Sequence, residues 1–170
     1  MIIFAKQDDF GWFSTGNEKN PLVGEFSLSD KVDTVVDWIY DTYDSNPGFI
    51  DCLFLCAHGN SGMIALGDWV GPIKAAKFAK LKGTFKANSR GIEIHGCASA
   101  SASNITEWDG TGTASKFGKG YDFLKNLAVS AGVKVTAPID SIWGFNAAYS
   151  YKDVRTMTVM PGGSAYFKYA

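Results

Sequence analysis

The apolar positions of this chain change period as it runs. Met1–Ala5 is a short apolar stretch that reads as a strand. Between Gly11 and Glu25 the turn formers Gly11, Gly16, Asn17, Asn20, Pro21 and Gly24 recur, so this stretch reads as loop, with brief pairing open to Leu22-Val23. From Ser29 to about Tyr43 the apolar residues Val32, Val35, Val36, Ile39 and Tyr40 stand at helical spacing, with Ser29 or Asp30 as the cap. Ser45-Asn46-Pro47-Gly48 stops that helix. Asp51–Ala57 is almost wholly apolar, as a strand buried on both faces should be. A second helix is predicted from Pro72 to about Phe85, with Ile73, Ala76, Phe78 and Leu81 inward and Lys74, Lys77, Lys80 and Lys82 in water. Ile92–His95 is the next strand. A polar, glycine-bearing stretch from Ala98 to Gly112 follows, then a helix from about Thr113 to Ala131 with Gly132 at its C′ position, then a strand at Val133–Ala137.

Beyond Pro138 the texture changes. Ile142–Phe145, Ala147–Lys152 and Arg155–Val159 read as short strands, and Pro161-Gly162-Gly163 turns the chain back into Ser164–Tyr169 as a hairpin partner. Strands and helices thus alternate at the front and strands alone follow. That order predicts an α/β fold: a three-layer αβα sandwich with a mostly parallel central sheet, which C-terminal antiparallel strands extend or cap. With no repeat or linker, residues 1–170 are expected to form one domain.

Composition narrows the partners. A chain of 170 residues with 46% hydrophobic and 14% aromatic residues can bury a proper core, which sets disorder aside. A net charge of −1 and a pI near 6.1 give no electrostatic case for nucleic acid or an anionic membrane. No apolar run approaches the roughly 20 residues of a membrane helix. The start, Met1-Ile2-Ile3-Phe4-Ala5-Lys6, shows no signal peptide, so the expectation is a cytoplasmic protein, or one exported by a leaderless route or within a longer polypeptide. Three cysteines do not make a disulfide framework. Cys52 and Cys56 share a strand about 13 Å apart at roughly 3.3 Å per residue, too far to bridge, and read as buried apolar residues. No CxxC or HxxxH spacing occurs, so no zinc site is expected, and the cysteine chemistry read below needs neither a metal nor another cofactor.

The chemistry concentrates at two strand ends. The run Asp51–Ala57 exits into His58-Gly59, and Gly91–His95 exits into Gly96-Cys97. A helix-length segment separates them, so they form a strand–helix–strand unit with a candidate base after one strand and a candidate nucleophile after the next. In open α/β sheets, chemistry gathers outside the carboxyl ends of the strands. An imidazole that takes the proton of Cys97 would supply the reactive thiolate. Gly59 and Gly96 would let backbone approach a substrate, and the amides of Gly59 and Cys97 are candidate oxyanion donors. His95, two residues before Cys97, lies about 6.5–7 Å away along the strand, too far for a direct hydrogen bond. Trp69, Trp108 and Trp143 read as packing or rim residues. Asn104-Ile105-Thr106 matches a glycosylation sequon to which no weight is given.

An apolar strand ending in His-Gly, followed by another ending in small residue–Cys, resembles the caspase-like (clan CD) cysteine peptidases, among them caspases, legumains, gingipains, clostripain and separases. Cys56-Ala57-His58-Gly59-Asn60-Ser61-Gly62 through Leu66-Gly67-Asp68, with Gly96-Cys97 and Phe123-Leu124-Lys125-Asn126-Leu127-Ala128, is similar to a bacterial subgroup of caspase-like domains that accompany large surface or toxin-like proteins. The resemblance spans roughly residues 50–137. It implies Cys97 as nucleophile, His58 as base and Gly59 as oxyanion donor, acting on a peptide or protein substrate without an obligatory third residue. It also implies that His95 helps wall the S1 pocket, with Glu93 behind it. An ordinary strand-end histidine is the alternative. The stretch Ala98–Gly112 would line the cleft, cover it or be cut for activation. The rival to an endopeptidase is an inactive caspase-like binding or delivery module of a bacterial toxin or adhesin system. A hydrolase of another acyl bond shares the dyad.

Overall fold

A computed structural model describes residues 1–10, 13–16, 18–97, 99–101, 119–140, 151 and 154–168, and the backbone of 145–146. Its centre is the most apolar run of the sequence. Strand β4, Cys52–Cys56, is buried at every position. It lies between β1, Ile2–Gln7, and β8, Gly91–His95, and runs parallel to both. The expected neighbours β4 and β8 pair Cys52 with Gly91 and Cys56 with His95. β3, Leu22–Phe26, adds a parallel edge beside β1. On the other side β9, Val135–Pro138, is parallel to β8. β11, Thr156–Val159, is antiparallel to β9, and β12, Ala165–Lys168, is antiparallel to β11. The order is β12-β11-β9-β8-β4-β1-β3. The chain is therefore α/β with a mostly parallel sheet and antiparallel C-terminal strands.

The layers follow from handedness. The chain steps from β1 out to β3, then back across β1 to β4, β8 and β9. Right-handed crossovers put the first connection on one face and the later ones on the other. Three helical segments accordingly share one face: α1 at Val32–Asp44, a 3₁₀ helix at Lys74–Leu81, and α2 at Gly120–Ala131. Their apolar residues pack with Ile3, Ala5, Leu53, Leu55, Ile92 and Ile94. The alternate strand residues Phe4, Cys52, Phe54 and Cys56 face the other way, under Phe10 and Phe13. On that second face the described residues supply no helix. β2, Phe13–Ser14, pairs there with β10, Phe145–Asn146. None of the described helices is long and apolar enough to cross a membrane.

Several local expectations change. The loop expected up to Glu25 ends in strand β3, because β1 offers it a parallel edge. α1 starts at Val32 rather than beside Ser29, and its Val32 N–H is capped from a distance by Asp68 Oδ1 at 3.0 Å. Asp30 instead accepts the Ser27 N–H within a turn. The segment after Pro72 is 3₁₀, so its inward residues are Ala75, Phe78 and Leu81 at a spacing of three, and Ile73 and Ala76 are exposed. Lys74, Lys77 and Lys80 follow the same spacing and meet Asp68, Asp33 and Asp37. After β4 the chain makes an unforeseen antiparallel meander: β5, Gly59–Asn60, β6, Met63–Ala65, and β7, Trp69–Val70. α2 begins at Gly120, after a non-helical Lys119. Residues 113–118 lie outside the described residues, as does most of 142–152. Gly132 ends α2 at φ 70°, as its C′ reading requires.

Candidate active site

The sheet has its topological switch at β1 and β4, where connections leave in opposite directions. Ligand crevices of open α/β sheets form at such a point, beyond the carboxyl ends of the strands. A cleft of about 380 Å³ lies there. Gln7 and Asp9 reach it from the end of β1, His58 and Gly59 from the end of β4, and Cys97 from the end of β8, while Leu28, Ala65 and Trp69 complete the wall. The two residues singled out for acid–base and nucleophilic chemistry thus line one cavity. A larger depression of about 520 Å³ lies at the opposite ends of the strands, around Gly83, Lys86, Ser89 and Lys134. Its lining holds neither a thiol nor an imidazole.

Two backbone crossings hold the site. A Cβ on Gly59 would fall 2.8 Å from the Gly96 carbonyl carbon and 2.9 Å from the Cys97 nitrogen. A Cβ on Gly96 would fall 3.0 Å from the Ala57 carbonyl oxygen. The two glycines therefore let the chain after His58 touch the chain before Cys97, and the close approach they serve is first of all to each other. His58 is pinned on both sides. Its N–H donates to Gln7 Oε1 at 3.1 Å, and its carbonyl accepts the Ala65 N–H at 2.7 Å. The ring itself is more than half exposed, with Asp9 Oδ1 4.0 Å from Nε2 and the Phe10 ring edge-on at 5.9 Å.

Among the three thiols, position selects Cys97. Cys52 and Cys56 are buried, and burial pushes both well above their ordinary range, so neither is a source of thiolate at neutral pH. Cys97 is partly exposed and lines the cleft. The chain then dives inward. Ser99, Ala100 and Ser101 are buried: the Gly62 N–H donates to Ser99 O at 3.1 Å, the Ala100 N–H to Pro138 O at 2.9 Å, and Ser61 Oγ to Ser101 O at 2.7 Å. These three residues are packed into the protein and are not part of the described lining of the cleft. The rest of the stretch expected to line or cover the cleft, 98 and 102–112, lies outside the described residues, as do Trp108, Trp143 and Asn104.

His95 and Glu93 sit elsewhere than the described lining of the cleft. Strand alternation turns both onto the second face, away from Ile92 and Ile94. The His95 ring stacks on Tyr151 at 4.6 Å and 8°, and its Nε2 is 3.8 Å from Glu93 Oε2. Arg90 Nε meets the other Glu93 oxygen at 3.0 Å and its Nη1 reaches Glu18 at 3.0 Å. The Tyr151 hydroxyl reaches the carbonyls of Ile94 and Thr136, between β8 and β9. Burial pushes the Glu93 carboxyl up, but His95 and Arg90 outweigh it and hold it at about 2. Burial also lowers His95 below its ordinary value, which favours the neutral imidazole. The S1 wall expected of His95 and the charge expected behind it thus form a buried network under the strand that carries Cys97.

Sequence reasoning noted Trp69 only as packing or rim, and missed Gln7 and Asp9. Their signal was the abrupt change from apolar to polar at Gln7-Asp8-Asp9, which marks the carboxyl end of β1. Among the described residues no group of three or more histidine, cysteine or acidic residues is placed to hold a metal ion. Compared with protein-family models, with curated proteins and with solved structures, the chain matches none.

Proposed function

We propose that the chain is a caspase-like cysteine endopeptidase with His58 as base and Cys97 as nucleophile. The observation that supports it best is the shared cleft at the switch point, entered by both residues from the carboxyl ends of adjacent parallel strands. His58 takes the Cys97 proton. The thiolate sulfur bonds to a peptide carbonyl carbon, and the carbonyl electron pair moves to oxygen, where the Gly59 N–H is the proposed donor. The pair returns as the C–N bond breaks, and the imidazolium gives its proton to the leaving amine. Water, deprotonated by His58, then releases the acyl group from sulfur. The reading implies one domain and a three-layer arrangement, with helices on the second face as well. His95 and Glu93 are given no direct contact with substrate, because His95 stacks on Tyr151 and Glu93 is held by His95 and Arg90.

A peptidyl acyloxymethyl ketone labels Cys97 covalently and tests the dyad. Labelling that disappears in both Cys97→Ala and His58→Ala, with cleavage of a fluorogenic peptide library by the unmodified protein, supports the proposal. Labelling that persists in His58→Ala refutes it. The second reading, an inactive caspase-like binding or delivery module, has one observation of its own: Gly59 and Gly96 are accounted for by their mutual packing without any substrate.

A further inference from the structure

Gln7, the last residue of β1, is 1% exposed and lines the cleft. Its Oε1 accepts the His58 N–H at 3.1 Å. A backbone N–H requires an acceptor, so this contact fixes which way round the carboxamide lies: oxygen towards His58, nitrogen away from it. Nε2 carries two N–H donors, and among the described residues no acceptor meets them. Yet no buried side-chain nitrogen or oxygen among those residues lacks a partner. Nε2 is therefore the part of Gln7 that opens onto the cleft.

We propose that Gln7 is a catalytic residue whose carboxamide N–H receives the substrate carbonyl oxygen as it becomes an oxyanion. The assignment rests on the dyad proposed above. The carboxamide is held by burial and by the His58 N–H, so the donor is in place before the reaction and needs no reorganisation during it. As Cys97 sulfur bonds to the carbonyl carbon and the electron pair moves to oxygen, Nε2–H donates to that oxygen alongside the Gly59 N–H. When the C–N bond breaks the pair returns, and the hydrogen bond weakens to that of a neutral carbonyl. The same side chain joins the two halves of the site: its oxygen fixes the base-bearing turn and its nitrogen meets the reacting group.

Two variants and two reagents test this. Gln7→Glu keeps an acceptor for the His58 N–H and removes the donor; Gln7→Met removes the donor without adding charge. Each should lower kcat on a fluorogenic peptide by on the order of 10²-fold, as loss of one oxyanion donor does. KM should change less than about 3-fold, since the contact forms in the transition state. Iodoacetamide alkylates the thiolate without creating an oxyanion, so in Gln7→Met, which adds no charge, its rate at Cys97 should fall far less than kcat. A peptide aldehyde, whose adduct places an oxygen in that site, should bind about 10²-fold more weakly. An unchanged kcat, a change in KM alone, or equal losses with both reagents would overturn the assignment to Gln7. Absence of turnover and of His58-dependent alkylation in the unmodified protein would instead overturn the dyad, and the assignment with it.

Discussion

At the scale of single residues, the site divides into groups that react and groups that hold them. Cys97 and His58 belong to the first kind under the proposed mechanism. Cys97→Ala and His58→Ala are each expected to cut peptidase turnover by on the order of 10³-fold or more, measured on the best library peptide. Glu93 and His95 belong to the second kind, and their contribution is read in stability. His95 is lowered below its ordinary 6.5 by burial, so the unfolded chain takes up a proton that the folded chain refuses. Stability from this source is present above pH 6.5 and falls as pH drops below it. Glu93 adds a second stage: its carboxylate is favoured in the folded state, and that stability is lost between pH 4.5 and about 2. Urea midpoints taken from pH 8 to pH 3 should decline in these two stages. His95→Phe should remove the first and shrink the second, because His95 helps hold Glu93 low, and Glu93→Gln should remove the second. A single decline common to all three proteins would show that this network does not govern acid stability.

At the scale of elements, contacts distant in sequence set geometry that local patterns misplace. The helix α1 takes its cap from Asp68, which also holds Lys74 at 2.6 Å. Asp68→Ala is expected to cost about 1 kcal/mol in chemical denaturation, and Ser29→Ala to stay within about 0.5 kcal/mol, the reverse of what sequence position suggests. Gly59 makes the opposite point about a residue that sequence did mark. Its substitution by alanine drives a methyl group into the Gly96–Cys97 peptide. Gly59→Ala should lower stability by about 1–3 kcal/mol, the scale of overpacking a tight contact, and reduce Cys97 alkylation in the same protein. An alanine tolerated without loss of either would mean that the crossing is looser than the backbone geometry shows.

At the scale of the whole molecule, protection should follow the sheet. β1, β4 and β8 each lie between two neighbours and are mostly buried, whereas every residue of the edge strand β12 is exposed. Hydrogen exchange should be slowest at Leu53–Leu55 and Ile92–Ile94 and fastest, among the strands, at Ala165–Lys168. Uniform exchange across the sheet would argue against a central parallel core. The sequence by itself determined the run of buried strands, the helical stripe of α1, the αL end at Gly132 and the hairpin at Pro161–Gly163, because each rests on local periodicity or local backbone preference. It also placed His58 and Cys97 after neighbouring strands, since a βαβ unit constrains where both strand ends emerge. The rest was decided only by tertiary structure: the strand partner that makes β3, the cap that Asp68 lends to α1, the turning of His95 beneath Tyr151, and the meeting of Gln7 with His58 across 51 positions. Those outcomes depend on which groups arrive opposite one another when the sheet closes, and no window along the chain contains both partners.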